Sequence, residues 1–241
     1  MVRRPEVIVF DVNETLSDMS PMGSRFTDVG APSELAKLWF ATLLRDGFAL
    51  AAAGDNGDFA EIGAEVLRGI LRGHELDRSL EDAVRHVMSG MLRLGVHPDV
   101  ADGIRALAEG GFRLVTLTNG GTLVAEQLLE GAGLRDAFEA LLSVADAPLW
   151  KPAGASYAYA AASCGVSVED MMLVAVHPWD VHGAAKAGLQ SAWVNRSDAA
   201  YPSYFVDPDL VAAGIDGVAE ALRAMSESEG SHRNDLDGDN R

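Results

Sequence analysis

Five short apolar runs stand out along the chain: Val7–Phe10, Arg113–Thr118, Ala140–Val144, Met172–Val176 and Gln190–Val194. Each is too short for a buried helix and reads as a buried strand. Helical periodicity fills the gaps between them, over Val100–Glu109, Thr122–Glu130, Ser156–Ser163, Val181–Lys186 and Gly217–Ala224. Alternating strands and helices predict an α/β fold built on a parallel sheet. The stretch between the first two strands differs. From Ser17 to Val96 the pattern is helical throughout, with Leu35, Leu38, Trp39 and Leu43 on one helix. Phe59, Ile62, Val66 and Ile70 fit a second, and Leu80, Ala83, Val84, Val87, Met88 and Met91 a third. Gly54–Asp58, GDNGD, reads as a loop between the first two. An all-helical insert after the first strand predicts a cap over the sheet. The expected division is a core of residues 1–16 and 97–225, a cap of 17–96, and a tail of 226–241. That tail has one aliphatic residue, Leu236, among five acids and two arginines, and is expected to be disordered. Its DLDGDN has Asn240 at the sixth position, where a calcium loop needs glycine, and no glutamate at the twelfth.

Charge narrows the function. The 241 residues carry a formal charge of −17 and a pI near 4.6. Such a chain is a poor partner for nucleic acid or an anionic membrane, which select basic patches. One cysteine, Cys164, excludes an internal disulfide and a Cys-rich zinc site. No apolar run is long enough to span a bilayer, and the start has no secretory segment, so a soluble cytoplasmic protein is expected.

In an open parallel sheet, ligands bind outside the carboxyl ends of the strands. The predicted strands end at Asp11, at Thr118-Asn119-Gly120-Gly121, ahead of Lys151-Pro152, at His177 with Asp180 three residues on, and at Asn195-Arg196. Singly, each has an ordinary reading. An aspartate after a strand forms turns or caps helices, and Lys151 is a surface lysine by default. Jointly they bring two carboxylates, an ammonium, a hydroxyl and an imidazole to one edge. That set suits covalent catalysis by a carboxylate, with Asp11 attacking an electrophile to form an ester or acyl phosphate that water then hydrolyses. An ammonium between two carboxylates keeps both ionised. Thr118 and Asn119 are placed to orient the attacking oxygen.

These residues resemble the haloacid dehalogenase superfamily. VFDVNETL around Asp11, LVTLTNG ending at Gly120, KP at Lys151–Pro152 and VHPWDVHGAAKAG with Asp180 occur in that order, with WVNR at Trp193–Arg196. TNG, the Lys151–Tyr157 spacing, PWD and WVNR are similar to the L-2-haloacid dehalogenase branch. The resemblance implies a Rossmann-like core with a helical cap, and hydrolysis of short 2-haloacids with inversion at C2 and no metal or other cofactor. Phosphatases of the superfamily place a second Asp where this chain has Asn13. That acid protonates a departing alkoxide, which a halide does not require, and its loss weakens the case for Mg²⁺.

Four positions depart from the branch. Phe40 follows Trp39 where the branch has an Arg gripping the halide, and the sequence leaves open whether Arg45, in the same helix, reaches the site. Glu14 replaces a Gly, while Ala175 and His177 replace a Ser and an Asn. Glu14 and His177 flank the nucleophile, so a carboxylate–imidazole pair is one candidate base. The expected roles are therefore Asp11 as nucleophile, held by Thr15, Thr118, Asn119 and Lys151. Asp180 or His177 activates water, Tyr157 supports Lys151, and Trp39, Phe40 and Leu43 line an apolar pocket. The expected partner is a small carboxylate, with a homodimer left open. The rivals are a hydrolase of another carbon electrophile (a C–F bond or a strained ring), then a phosphatase, then a non-catalytic binding protein.

Overall fold

The computed structural model describes residues 3–225; the acidic tail from Ser226 lies outside the described residues. Strands β1 (Val7–Phe10), β2 (Arg113–Thr118), β3 (Ala140–Ser143), β4 (Met171–Ala175), β5 (Gln190–Val194) and β6 (Leu210–Ala212) form one sheet, ordered β3-β2-β1-β4-β5-β6. Every pairing is parallel, with Val7 opposite Arg113 on one side and Met171 on the other. All residues of β1 and β4 are buried. Central parallel strands are covered on both faces, which explains their unbroken apolar runs. The order reverses between β1 and β4, and the crevice at their carboxyl ends is the expected ligand position.

Helices α1 (Met22–Thr27), α2 (Leu35–Ala53), α3 (Phe59–Leu71) and α4 (Leu80–Met88) lie between β1 and β2. The chain enters this insert at Ser17 and returns at Val96, where the two residues form an antiparallel bridge. Helices α5 (Val100–Glu109), α6 (Thr122–Gly131), α7 (Gly154–Cys164), α8 (Pro178–Ala187) and α9 (residues 215–225) complete the α/β alternation.

The elements missed from sequence are short. The three residues of β6 and the six of α1 are too few to show a period. Two boundaries matter for chemistry. The helix predicted from Val181 begins at Pro178, because proline's missing N–H and fixed φ suit the first helical position. Asp180 therefore lies inside the first turn and does not cap the helix. The helix predicted from Ser156 begins at Gly154, which puts Tyr157 in its first turn. Met91, assigned to the third insert helix, falls in a separate 3₁₀ turn beyond Gly90. Leu38 is 53% exposed, because α2 packs through Trp39, Phe40, Leu43 and Gly47 instead.

Candidate active site

Asp11 follows β1 directly, and its N–H donates to the carbonyl of Val174, extending the ladder to β4. The next residues turn back sharply: the N–H groups of Leu16 and Ser17 both donate to the Val12 carbonyl. This turn returns Thr15 under the aspartate. The Thr15 hydroxyl donates to Asp11 Oδ2 at 2.7 Å and accepts from the Val176 N–H at 3.0 Å, joining the two central strand ends. The turn is clamped from outside. Arg196, paired with Asp99, donates to the Thr15 carbonyl at 2.9 Å, and His97 Nε2 donates to the Glu14 carbonyl at 3.1 Å. Glu14 sits in this turn at φ +63°. A residue with a Cβ is strained there and glycine is not.

Lys151 is completely buried. Its Nζ lies 3.0 Å from Asp11 Oδ1 and 2.6 Å from Asp180 Oδ2. The Tyr157 hydroxyl donates to the other oxygen, Asp180 Oδ1, at 2.6 Å. An ammonium with no access to water must have carboxylate partners. Asn119 fixes its backbone: Nδ2 donates to the Lys151 carbonyl and Oδ1 accepts the Lys151 N–H.

The two carboxyls differ. Burial pushes Asp11 up, but the charges of Lys151 and His177 and the Thr15 hydrogen bond outweigh it and leave the carboxyl below its ordinary range. Burial raises Asp180, the Asp11 charge adds to it, and Lys151 only partly compensates. Burial lowers Lys151, yet the two carboxylates overcome it and the ammonium is retained. Asp11 is thus an ionised carboxylate, and Asp180 the more basic of the two.

Several expected roles change. The Thr118 hydroxyl accepts the Gly120 N–H at 2.9 Å and closes the turn after β2, so it does not hold Asp11. Asn119 acts through the Lys151 backbone, not on the attacking oxygen. Tyr157 supports Lys151 only through Asp180. Trp39 is fully buried and its Nε1 donates to the Gly63 carbonyl, tying α2 to α3. Leu43 is equally buried, so neither residue lines a pocket at the site. Arg45 does not reach the nucleophile: its side chain is 71% exposed and pairs with its neighbour Asp46.

His177 is close but arranged differently from an acid-oriented base. Its Nε2 stands 3.2 Å from the Asn13 carbonyl, 3.6 Å from Glu14 Oε2 and 3.8 Å from Asp11 Oδ2. A carbonyl only accepts, so Nε2 carries a proton and is a donor. In an acid-oriented base the acid engages one ring nitrogen and water the other; here Glu14 and Asp11 face the same nitrogen. The ring is held by Trp179, stacked at 5.1 Å between centroids, with Phe40 at 6.3 Å. Trp179, whose ring also lies 6.0 Å from Lys151 Nζ, is a site residue that no reading of the strand ends singled out. Its place in the PWD run was the available signal.

The donor set does not fit a divalent cation. Lys151 already stands between the two carboxylates, and Asn13 offers only a neutral amide. Among the described residues no group of three or more His, Cys, Asp or Glu side chains could hold a metal.

The chain matches the family model for haloacid dehalogenase-like hydrolases over residues 5–188. Haloacetate dehalogenase H-2 of Moraxella sp. strain B is 29% identical over 223 residues, covering 92% of this chain and 99% of that one. An (S)-2-haloacid dehalogenase of Pseudomonas sp. strain YL is 28% identical over 222 residues, covering 91% and 95%. The structure of L-2-haloacid dehalogenase from Xanthobacter autotrophicus with chloropropionic acid covalently bound aligns with a TM-score of 0.77 at 25% identity, covering 92% and 99%.

Proposed function

The chain belongs to the haloacid dehalogenase-like hydrolases, and from that footing we propose that it hydrolyses the carbon–halogen bond of (S)-2-haloacids through an ester on Asp11. The observation that carries this is the buried ammonium of Lys151 shared between Asp11 and Asp180. It supplies an ionised, desolvated carboxylate at the strand end and a second, more basic one beside it.

In the first step an Asp11 carboxylate oxygen forms a bond to C2 while the carbon–halogen bond breaks, and the electron pair leaves with the halide. No proton moves, so the neutral Asn13 is adequate beside the nucleophile. In the second step water adds to the ester carbon of Asp11 and gives its proton to Asp180. The bond from that carbon to the substrate oxygen then breaks, the proton passes from Asp180 to the departing 2-hydroxy acid, and Asp11 releases water's second proton to solvent to restore its carboxylate. Substitution occurs once at C2, so its configuration inverts. His177 Nε2 is engaged as a donor to the Asn13 carbonyl, which leaves Asp180, whose affinity for protons burial raises, as the water-activating base. His177 instead presents a donor beside Asp11, where the substrate carboxylate otherwise meets net negative charge.

The proposed partner is a small carboxylate; nucleic acid and anionic membranes do not suit this charge. Among the described residues no helix is long and apolar enough to cross a membrane. The test is incubation with (S)-2-chloropropionate. Chloride release is expected, and Asp11→Asn, with its fold confirmed by circular dichroism, should release none. Turnover by that variant, with deamidation excluded by mass, would end the proposal.

A further inference from the structure

A cavity of about 960 Å³ opens beside the nucleophile, between the insert helices and the strand ends. Pockets of roughly 300–1,000 Å³ hold drug-sized ligands, and a two- or three-carbon acid fills a small part of this one. Asp11 is only 3% exposed and does not itself line the cavity, but His177 does, with its Nε2 3.8 Å from Asp11 Oδ2. The imidazole is fixed between Trp179 and Phe40, so it marks a throat and not a swinging side chain. Beyond the throat the wall is mostly apolar, formed by Met19, Met22, Phe40, Ala41, Leu44 and Val176. Of the polar residues on the wall, Ser20, Ser33, Glu34 and Lys37 are exposed, while Asp18, Glu14, His97 and Arg196 are half-buried on the side of the strand ends.

Building on the haloacid reading, we infer that the preferred substrates are 2-haloacids whose aliphatic chain extends well beyond three carbons and lies along this wall. C2 then sits at Asp11, the carboxylate meets the His177 Nε2–H, and the alkyl chain runs back over Phe40 toward α1. Removal of apolar chain from water supplies the selectivity.

The test is bromide release from 2-bromo acids of two, three, four, six and eight carbons. kcat/KM is expected to rise about three- to fourfold for each methylene buried, until the cavity is filled. Ala41→Trp, which places an indole on the wall from an exposed helix position, should collapse the ratio of the six- and eight-carbon acids to bromoacetate measured in the same variant. Turnover of bromoacetate with a flat or falling series would overturn this inference alone. So would a preference for 2-bromo dicarboxylates over monocarboxylates of equal length, which would assign the cavity to Lys37 and a distal anion. Failure of every haloacid would overturn the haloacid reading itself, and this inference with it.

Discussion

Lys151 holds a full charge where its Nζ has no solvent, and the two aspartates respond unequally to sharing it. Asp11 also has Thr15 and the charge of His177, so its carboxyl is held low; Asp180 has only Tyr157 to add and is pushed up. The sign of this difference can be measured. As pH falls, Asp180 takes up its proton while Asp11 is still ionised. Ester hydrolysis should then fail before ester formation, and a halide burst near one equivalent per site should emerge as the buffer is acidified. Asp180→Asn should show the same burst at neutral pH, with the Asp11 adduct visible by mass spectrometry. His177→Ala should weaken KM without trapping the ester. A trapped ester in His177→Ala and none in Asp180→Asn would return the base role to the histidine. Glu14 offers a separate test of local strain. At φ +63° a glutamate costs about 1–2 kcal/mol, and glycine recovers part of this while adding unfolded-state freedom. Glu14→Gly should therefore gain up to about 1 kcal/mol in urea unfolding; a loss of stability would mean that its side-chain contacts outweigh the strain.

At the level of elements, the site depends on how closely α7 and α8 approach. Gly183 faces α7, and a Cβ there would lie 2.6 Å from both Pro152 Cβ and the Tyr157 hydroxyl. That hydroxyl is the one holding Asp180. Alanine is the better helix former by about 1 kcal/mol, but overpacking costs about 1–3 kcal/mol, and the strain acts directly on the Tyr157–Asp180–Lys151 chain. Gly183→Ala should therefore fail to raise the melting temperature and should lower kcat. A more stable variant with unchanged kcat would show that the helices simply move apart. Much of this element was legible in advance, since VHPWDVHGAAKAG displayed both the carboxylate and the apolar spacing. Its true start was not, because the apolar period opens at Val181 while Pro178, which suits the first turn, lies outside it.

Over the whole molecule the charge of −17 opposes an anionic substrate. The buried ammonium of Lys151 beside Asp11 is already committed to two carboxylates, and Arg45 points away. Long-range repulsion is screened over roughly 8–10 Å at physiological salt. Raising ionic strength with a non-halide salt should therefore increase kcat/KM for a haloacid, on the order of twofold, with kcat unchanged. A fall would place an unrecognised attractive field at the cavity.

By itself the sequence determined the sheet, apart from its short edge strand, and which residues stand at the ends of its strands. Strand and helix periods are local properties, written over a handful of neighbouring positions. The gathering of Asp11, Lys151 and Asp180 follows from that, because parallel strands bring their carboxyl ends to one edge. What each polar group does there was decided only in three dimensions. Lys151 meets Asp11 across 140 residues, and His177 meets the Asn13 carbonyl across 164. Thr118 turned to its own loop, Trp39 to Gly63, Arg45 to solvent, and His177 turned its Nε2–H to a backbone carbonyl. A buried donor or acceptor takes whichever partner the packed fold sets within about 3 Å, and those partners come from segments whose spacing along the chain carries no trace of the contact.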